Sequence, residues 1–252
     1  MHLYFPDNIF SRILFNQFDE DLKSEIVFNP SANITSLVKQ NETVGLIPTM
    51  DLVSNKDLFV SKDVGISFEG TLSNSYIYYS NQQDLTEIKI AGDVSTVEII
   101  LSKILFNELY KKDININIQT KLPDKEISDN LIIVGDDNFR SERINKAISF
   151  AEEVIEIISL PFVNFILASP NSALLKEYSD KMKNSLNNGK QRPSKVDFDL
   201  AGASLIQNNL DKVFFNLTDQ DIEGINQLIQ LPFYYGILKD IIEVKFVWTY
   251  FY

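Results

Sequence analysis

The sequence has no cysteine and one histidine, His2. A disulfide framework, a thiolate metal site and a cysteine nucleophile are therefore excluded. A Ser-His-Asp triad or a histidine-rich metal site would have to be built on His2, at the fraying start of the chain. Positive charge is also scarce. Lys plus Arg number 23 against 35 Asp plus Glu, a formal net charge of −12. The four arginines are Arg12, Arg140, Arg143 and Arg192, and Lys111-Lys112 is the one adjacent lysine pair. Nucleic-acid binding needs clustered Lys and Arg, so it is not expected. An anionic ligand would have to rely on backbone N–H groups, hydroxyls and amides. Long apolar runs are missing too. No stretch approaches the ~18 apolar residues of a membrane span, and Met1–Asp7 has neither the basic nor the apolar region of a signal peptide. The expected location is the cytoplasm, with no membrane partner.

What is present is the balance of a globular protein. The chain has 252 residues, 44% hydrophobic and 23% charged, enough for one large domain or two smaller lobes. Leu3-Tyr4-Phe5 reads as a strand closed by Pro6-Asp7-Asn8. Ile9 to Phe18 has helical spacing, Glu25–Phe28 reads as a strand, and Ser31–Lys39 as a short helix. Val44–Pro48 is a continuous apolar run, as parallel strands covered on both faces tend to be. This β-α-β-α-β order predicts an α/β layer architecture. Phe59-Val60, Val64–Phe68, Ser75–Tyr79, Ile88–Ala91 and Ile114–Ile118 follow as strands. Ser95–Tyr110 is a helix opened by a capping box, Ser95-Thr96-Val97-Glu98. Asn130–Val134 is a buried strand, Ile144–Ile158 an amphipathic helix, and Phe162–Ala168 a strand. Ser169 suits an N-cap and Pro170 the first helical position. From there to about Ile242 the pattern is helical, with Lys183–Ser194 the most loop-like stretch. The aromatic tail Val244–Tyr252 is too apolar to stand free and is expected to pack on its own lobe, with a dimer contact as the alternative. If the chain crosses between lobes at the aromatic strands, residues 1–78 and 169–252 form one lobe and 79–168 the other, with a ligand cleft between them.

Several motifs, in order along nearly the whole chain, resemble the bacterial menaquinone-biosynthesis family that contains chorismate dehydratase. They are Val44-Gly45-Leu46-Ile47-Pro48-Thr49, then Val64-Gly65-Ile66-Ser67 with Gly70 and Ser75, then Leu131-Ile132-Ile133-Val134-Gly135-Asp136, and Leu160-Pro161-Phe162-Val163. The helix from Asn216-Leu217-Thr218 to Gly236-Ile237-Leu238 also fits. The resemblance implies a two-lobed, periplasmic-binding-protein-like α/β fold of type II. It implies elimination of water from chorismate to give 3-[(1-carboxyvinyl)oxy]benzoate on the futalosine route, with no cofactor and no metal. The sister activity that makes a dihydroxynaphthoate relies on an internal histidine that this chain lacks.

Such a reaction needs two carboxylates held, a ring proton removed and hydroxide released, chiefly by orientation and electrostatics. A carboxylate can serve as base. The resemblance places Asn8, Ser75 and Asp136 as catalytic candidates, and Thr49, Asn74, Ser95 and Thr96 as substrate-binding ones. Each also has a plain structural reading. Ser95 and Thr96 can simply cap a helix and Asp136 a turn. Thr49 can satisfy a turn, and Asn74 and Ser75 can be strand-edge polar residues. Two departures weaken a dianion site. Gly92-Asp93-Val94-Ser95-Thr96 replaces an arginine-bearing turn and gains a carboxylate, and Asn74 stands where the family often has arginine. The alternative reading is a non-catalytic protein that binds a small carboxylate on the same fold. A third is a structural partner that uses the aromatic C-terminus.

Overall fold

A computed structural model describes residues 1–80, 85–122, 129–140, 142–188 and 202–247. Two sheets organise these residues. The larger sheet has seven strands in the order β11-β4-β10-β3-β1-β2, with β12 pairing the first residues of β4, before the stretch that pairs β11. Its strands are β1 (Leu3–Pro6), β2 (Ile26–Asn29), β3 (Gly45–Pro48), β4 (Phe59–Phe68), β10 (Phe162–Ser169), β11 (Val213–Asn216) and β12 (Lys245–Val247). The smaller sheet has five strands in the order β7-β6-β8-β5-β9. These are β5 (Ser75–Tyr78), β6 (Glu87–Gly92), β7 (Asn115–Gln119), β8 (Leu131–Val134) and β9 (Ile148–Ser149).

The larger sheet carries α1 (Ile9–Phe15), α2 (Glu20–Glu25) and α3 (Ser31–Gln40), which join its first strands. The smaller carries α4 (Thr96–Tyr110) and α5 (Phe150–Ile158). After β10 come α6 (Ser172–Asn188), α7 (Ala203–Asn209) and α8 (Asp219–Tyr234). Helix α8 starts on a second capping box, Thr218 with Asp221.

β3 and β10 are buried along their whole length, as their continuous apolar runs predict. β3 is parallel to β1 but antiparallel to β10, so the central strands are mixed. Val60 and Val64 belong to one strand, although the sequence reads as two pieces. The register slips between the β10 pairs at Gly65 and Val60, and Ser61 Oγ accepts the N–H groups of Asp63 and Val64 inside that bulge.

Several expectations are corrected. Ile144–Ile158 is not one helix. A 3-10 turn (Glu142–Lys146) and β9 precede α5, whose N-cap is Ser149. The turn repeats every three residues, which a helical pattern mimics. Ser169 ends β10 instead of capping a helix. Asn171 does the capping, its Oδ1 accepting from the N–H groups of Ala173 and Leu174. Lys183–Asn188 continues α6, and Val213–Asn216 is an edge strand rather than helix. The rest of the expected 183–194 loop, and Arg192, lie outside the described residues. His2 is exposed, as expected. The described part of the tail, Lys245–Val247, pairs with Phe59–Ser61 on the larger sheet, and residues 248–252 lie outside the description. β5 belongs to the smaller sheet and β10 to the larger. The chain therefore passes between sheets in 69–74 and 159–161, rather than at 78/79 and 168/169.

Candidate functional site

The carboxyl ends of β3, β6 and β8 meet the starts of helices from the opposite sheet, and three aspartates make the contacts. Asp93 follows β6. It reaches the first turn of α3, where Ser31 donates its N–H at 2.8 Å and its hydroxyl at 2.5 Å to the two carboxylate oxygens. Pro30 precedes α3 and supplies no side-chain cap, so the cap comes from the other sheet. Asp136 follows β8 and accepts the Ile9 N–H at the start of α1, at 2.8 Å. Asp51 sits in the 3-10 turn Thr49–Val53 after β3. It accepts hydroxyls from Thr35 of α3 and from Thr96, the first residue of α4. Apolar packing runs beside these contacts. Phe10 of α1 meets Phe139 edge-to-face with ring centroids 6.0 Å apart, and Phe139 in turn meets Tyr76 at 5.9 Å.

Burial pushes all three carboxyls above the usual carboxylate range. Hydrogen bonds from Thr35 and Thr96 pull Asp51 back, and those from Ser31 do the same for Asp93. The Asp7 charge raises Asp93 and Asp136 further, while Arg12 and Arg140 oppose it only at Asp136. Arg12 pairs with Asp7, and Arg140 with Asp137. The three aspartates are spaced along the seam. Among the described residues no group of three or more Asp, Glu or His side chains is placed to hold a metal ion.

The raised values set a pH dependence. A carboxyl whose folded pKa exceeds its unfolded one, near 3.9 for Asp, binds more protons in the folded state between the two values. Its contribution to stability is therefore fully present below the unfolded pKa and lost as pH rises through the folded one. Asp57 and Glu108 shift the other way, but both are surface groups with little weight. The melting temperature is expected to be higher at pH 5 than at pH 8, and Asp51→Asn should flatten part of that slope in differential scanning calorimetry.

The sequence candidates divide into small groups. Asn74 accepts the Gly135 N–H on its backbone carbonyl at 2.7 Å, which sets it beside Asp136. Asp136 holds Ile9, the neighbour of Asn8, so Asn8, Asn74 and Asp136 come together. Asn8 Oδ1 caps α1 through the Ser11 N–H, while its Nδ2 has no partner among the described residues. Both side-chain amide atoms of Asn74, and Thr49 Oγ1, are likewise buried without a partner among the described residues. Thr49 stands apart, after the Pro48–Phe165 pair and next to Asn164, whose Oδ1 is also unpartnered.

Ser75 and Ser95 are engaged by a residue that sequence reading left as a cap. Glu98 is fully buried. It accepts the Ser75 hydroxyl at 2.6 Å, the Ser95 hydroxyl at 2.8 Å and the Ser95 N–H at 3.0 Å. Ser95 thus acts chiefly through the α4 capping box, and Thr96 through Asp51. An open groove of about 380 Å³ is lined by Asp51 and Thr96 together with Thr35, Ser36, Lys39 and Asn55.

Solved structures resemble the whole chain. Protein AF1704 from Archaeoglobus fulgidus matches with a TM-score of 0.59 at 10% identity, over 94% of this chain and 98% of that one. The Candida albicans CA3427 gene product is described as having the generic periplasmic binding protein fold. It matches at 0.55 and 14% identity, over 95% and 91%. The zinc-bound ligand-binding component of an ABC-type import system from Staphylococcus aureus matches at 0.57 and 12% identity, over 97% and 96%. The fold is that of the periplasmic binding proteins. At these identities the likeness is one of architecture. No family model and no curated protein sequence matches the chain. In the periplasmic-binding-protein fold the two sheets are the cores of two lobes, and the aspartate contacts lie in the cleft between them. Among the described residues, no helix is long and apolar enough to cross a membrane.

Proposed function

We propose that this chain is a binding protein for a small monocarboxylate, taken up in the seam between the two lobes. The supporting observation is the donor set there. Ser31 already holds a carboxylate with its N–H and hydroxyl, and Asn8 Nδ2 and Asn74 Nδ2 are buried donors without partners among the described residues. Unpaired buried donors cost about 1–3 kcal/mol each, which a ligand oxygen would recover. The donors are neutral, and the seam already carries Asp51, Asp93 and Asp136. A second ligand carboxylate would meet repulsion with Arg12 and Arg140 already committed to Asp7 and Asp137.

A second reading is a chorismate dehydratase-like lyase, favoured by Asp136. Burial raises its carboxyl above the ordinary value, which makes it a stronger base toward a ring proton. One experiment separates the two. The protein is incubated with acetate, benzoate, a dicarboxylate and chorismate, and followed by thermal shift, ultraviolet absorbance and mass. Stabilisation by monocarboxylates without loss of water from chorismate is expected. Loss of water from chorismate would replace the binding reading with the lyase. No shift with any carboxylate and no turnover would sink both.

A further inference from the structure

We infer that the protein closes on itself: Asp93, Asp136 and Asp51 latch the two lobes together in the absence of ligand, each carboxylate capping or tying the first residue of a helix from the opposite lobe. This concerns the ligand-free protein and goes beyond the binding reading.

The argument starts from helix ends. The first N–H groups of a helix have no partner within it and need a cap or water. Here the caps at Ile9 and Ser31 are delivered across the seam, by residues 127 and 62 positions away in sequence. Asp51 makes the reverse contact, reaching from the larger lobe to Thr96 while also held by Thr35. Opening the lobes would break the Asp136–Ile9, Asp93–Ser31 and Asp51–Thr96 contacts at once. It would also separate Phe10 from Phe139.

Among the described residues the covalent route between lobes is narrow. Its crossings are 69–74 and 159–161, and Ser73 Oγ in the first of them accepts the N–H groups of Ser75 and Ala151, both of the smaller lobe, each at 3.1 Å. Such a hinge supports rotation without setting its position, so the seam contacts decide whether the lobes stand open or shut. A ligand-dependent clamp leaves its seam donors for the ligand. In this chain the Asp93 carboxylate already sits on the Ser31 donors, so a carboxylate ligand must compete with a tethered one. That last consequence rests on the binding reading.

The test uses the full chain without ligand. Small-angle scattering and amide hydrogen exchange are compared for the wild type, Asp93→Ala/Asp136→Ala and Asp93→Asn. The wild type should scatter as the closed form, with no change in radius of gyration when acetate is added. The double variant should have a larger radius of gyration and exchange the Ile9 and Ser31 amides at least about tenfold faster, while still melting cooperatively. Asp93→Asn keeps an acceptor oxygen for the Ser31 N–H and should stay closed. If the double variant fails to fold, Asp51→Ala, which frees Thr96 across the seam and Thr35 within its own lobe, should raise exchange around the α4 start. An open ligand-free wild type, or variants whose scattering and exchange match it, would overturn the latch. A latch that behaves as described with no carboxylate shifting the melt would leave the latch standing and remove the binding reading. A carboxylate-stabilised but open wild type would do the reverse.

Discussion

Gly92→Ala is expected to destabilise the protein by about 4 kcal/mol or more, the scale of a forced backbone clash at a left-handed position. Gly92 closes β6 with φ of +103°, a conformation that side-chain-bearing residues rarely adopt. A Cβ there would stand 2.1 Å from the Val134 carbonyl oxygen, in the strand paired with β6. Neither atom belongs to a flexible side chain, so the strands themselves would have to part. The next residue is Asp93, and the Asp93 N–H also bonds the Val134 carbonyl, at 3.1 Å. The substitution therefore strikes the smaller sheet and the Ser31 contact together. Urea denaturation should show a much lower midpoint, or no folded baseline. A variant within 1 kcal/mol of wild type would mean that the turn is not built as described.

Glu98→Ala should cost about 3 kcal/mol, because it strands two hydroxyls and a backbone N–H in a buried place. Burial raises the Glu98 carboxyl and the three donors lower it again, so the residue is held by its hydrogen bonds and not by a counter-charge. Glu98→Gln keeps one acceptor and should cost about 1 kcal/mol, as should Ser75→Ala. Coupling between Ser75 and Glu98 in a double-mutant cycle would confirm a shared structural network. If Ser75→Ala instead abolished turnover of chorismate while leaving the melt unchanged, Ser75 would be catalytic and the structural assignment would fall.

The parts legible in sequence share one property: their cause lies within a few residues. The α4 capping box is visible as Ser95 and Glu98 three positions apart, and the buried strands β3, β8 and β10 as unbroken apolar runs. Val213–Asn216 was hidden because Val-Phe-Phe fits a helix face as well as a strand, and only pairing with Val64–Phe68 decides between them. The site divides in the same way. Asn8, Asp136, Ser95 and Thr96 were visible as residues at element ends. Their partners were not: Ile9 with Asp136, Thr96 with Asp51 and Ser31 with Asp93 are set by how the lobes meet. Asp93 stood out only as an unexpected charge in a turn. Phe139 carried no signal before Phe10 was placed against it.

The position of β10 has a consequence for how the chain comes to be folded. β10 lies between β3 and β4, two strands finished by residue 68, yet it is not synthesised until residue 162. The larger sheet is therefore split down its middle while everything from 75 to 149 is made. That intervening segment is contiguous, and its ends adjoin, with Tyr76 opposite Ser149. The smaller sheet can thus complete its pairings from its own stretch of chain, whereas the larger one must close a loop of about ninety residues, an entropic cost that slows such contacts. Synthesis order and topology together make the lobe that is second in the sequence the first able to fold, with the exposed edges of β3 and β4 waiting for their central strand.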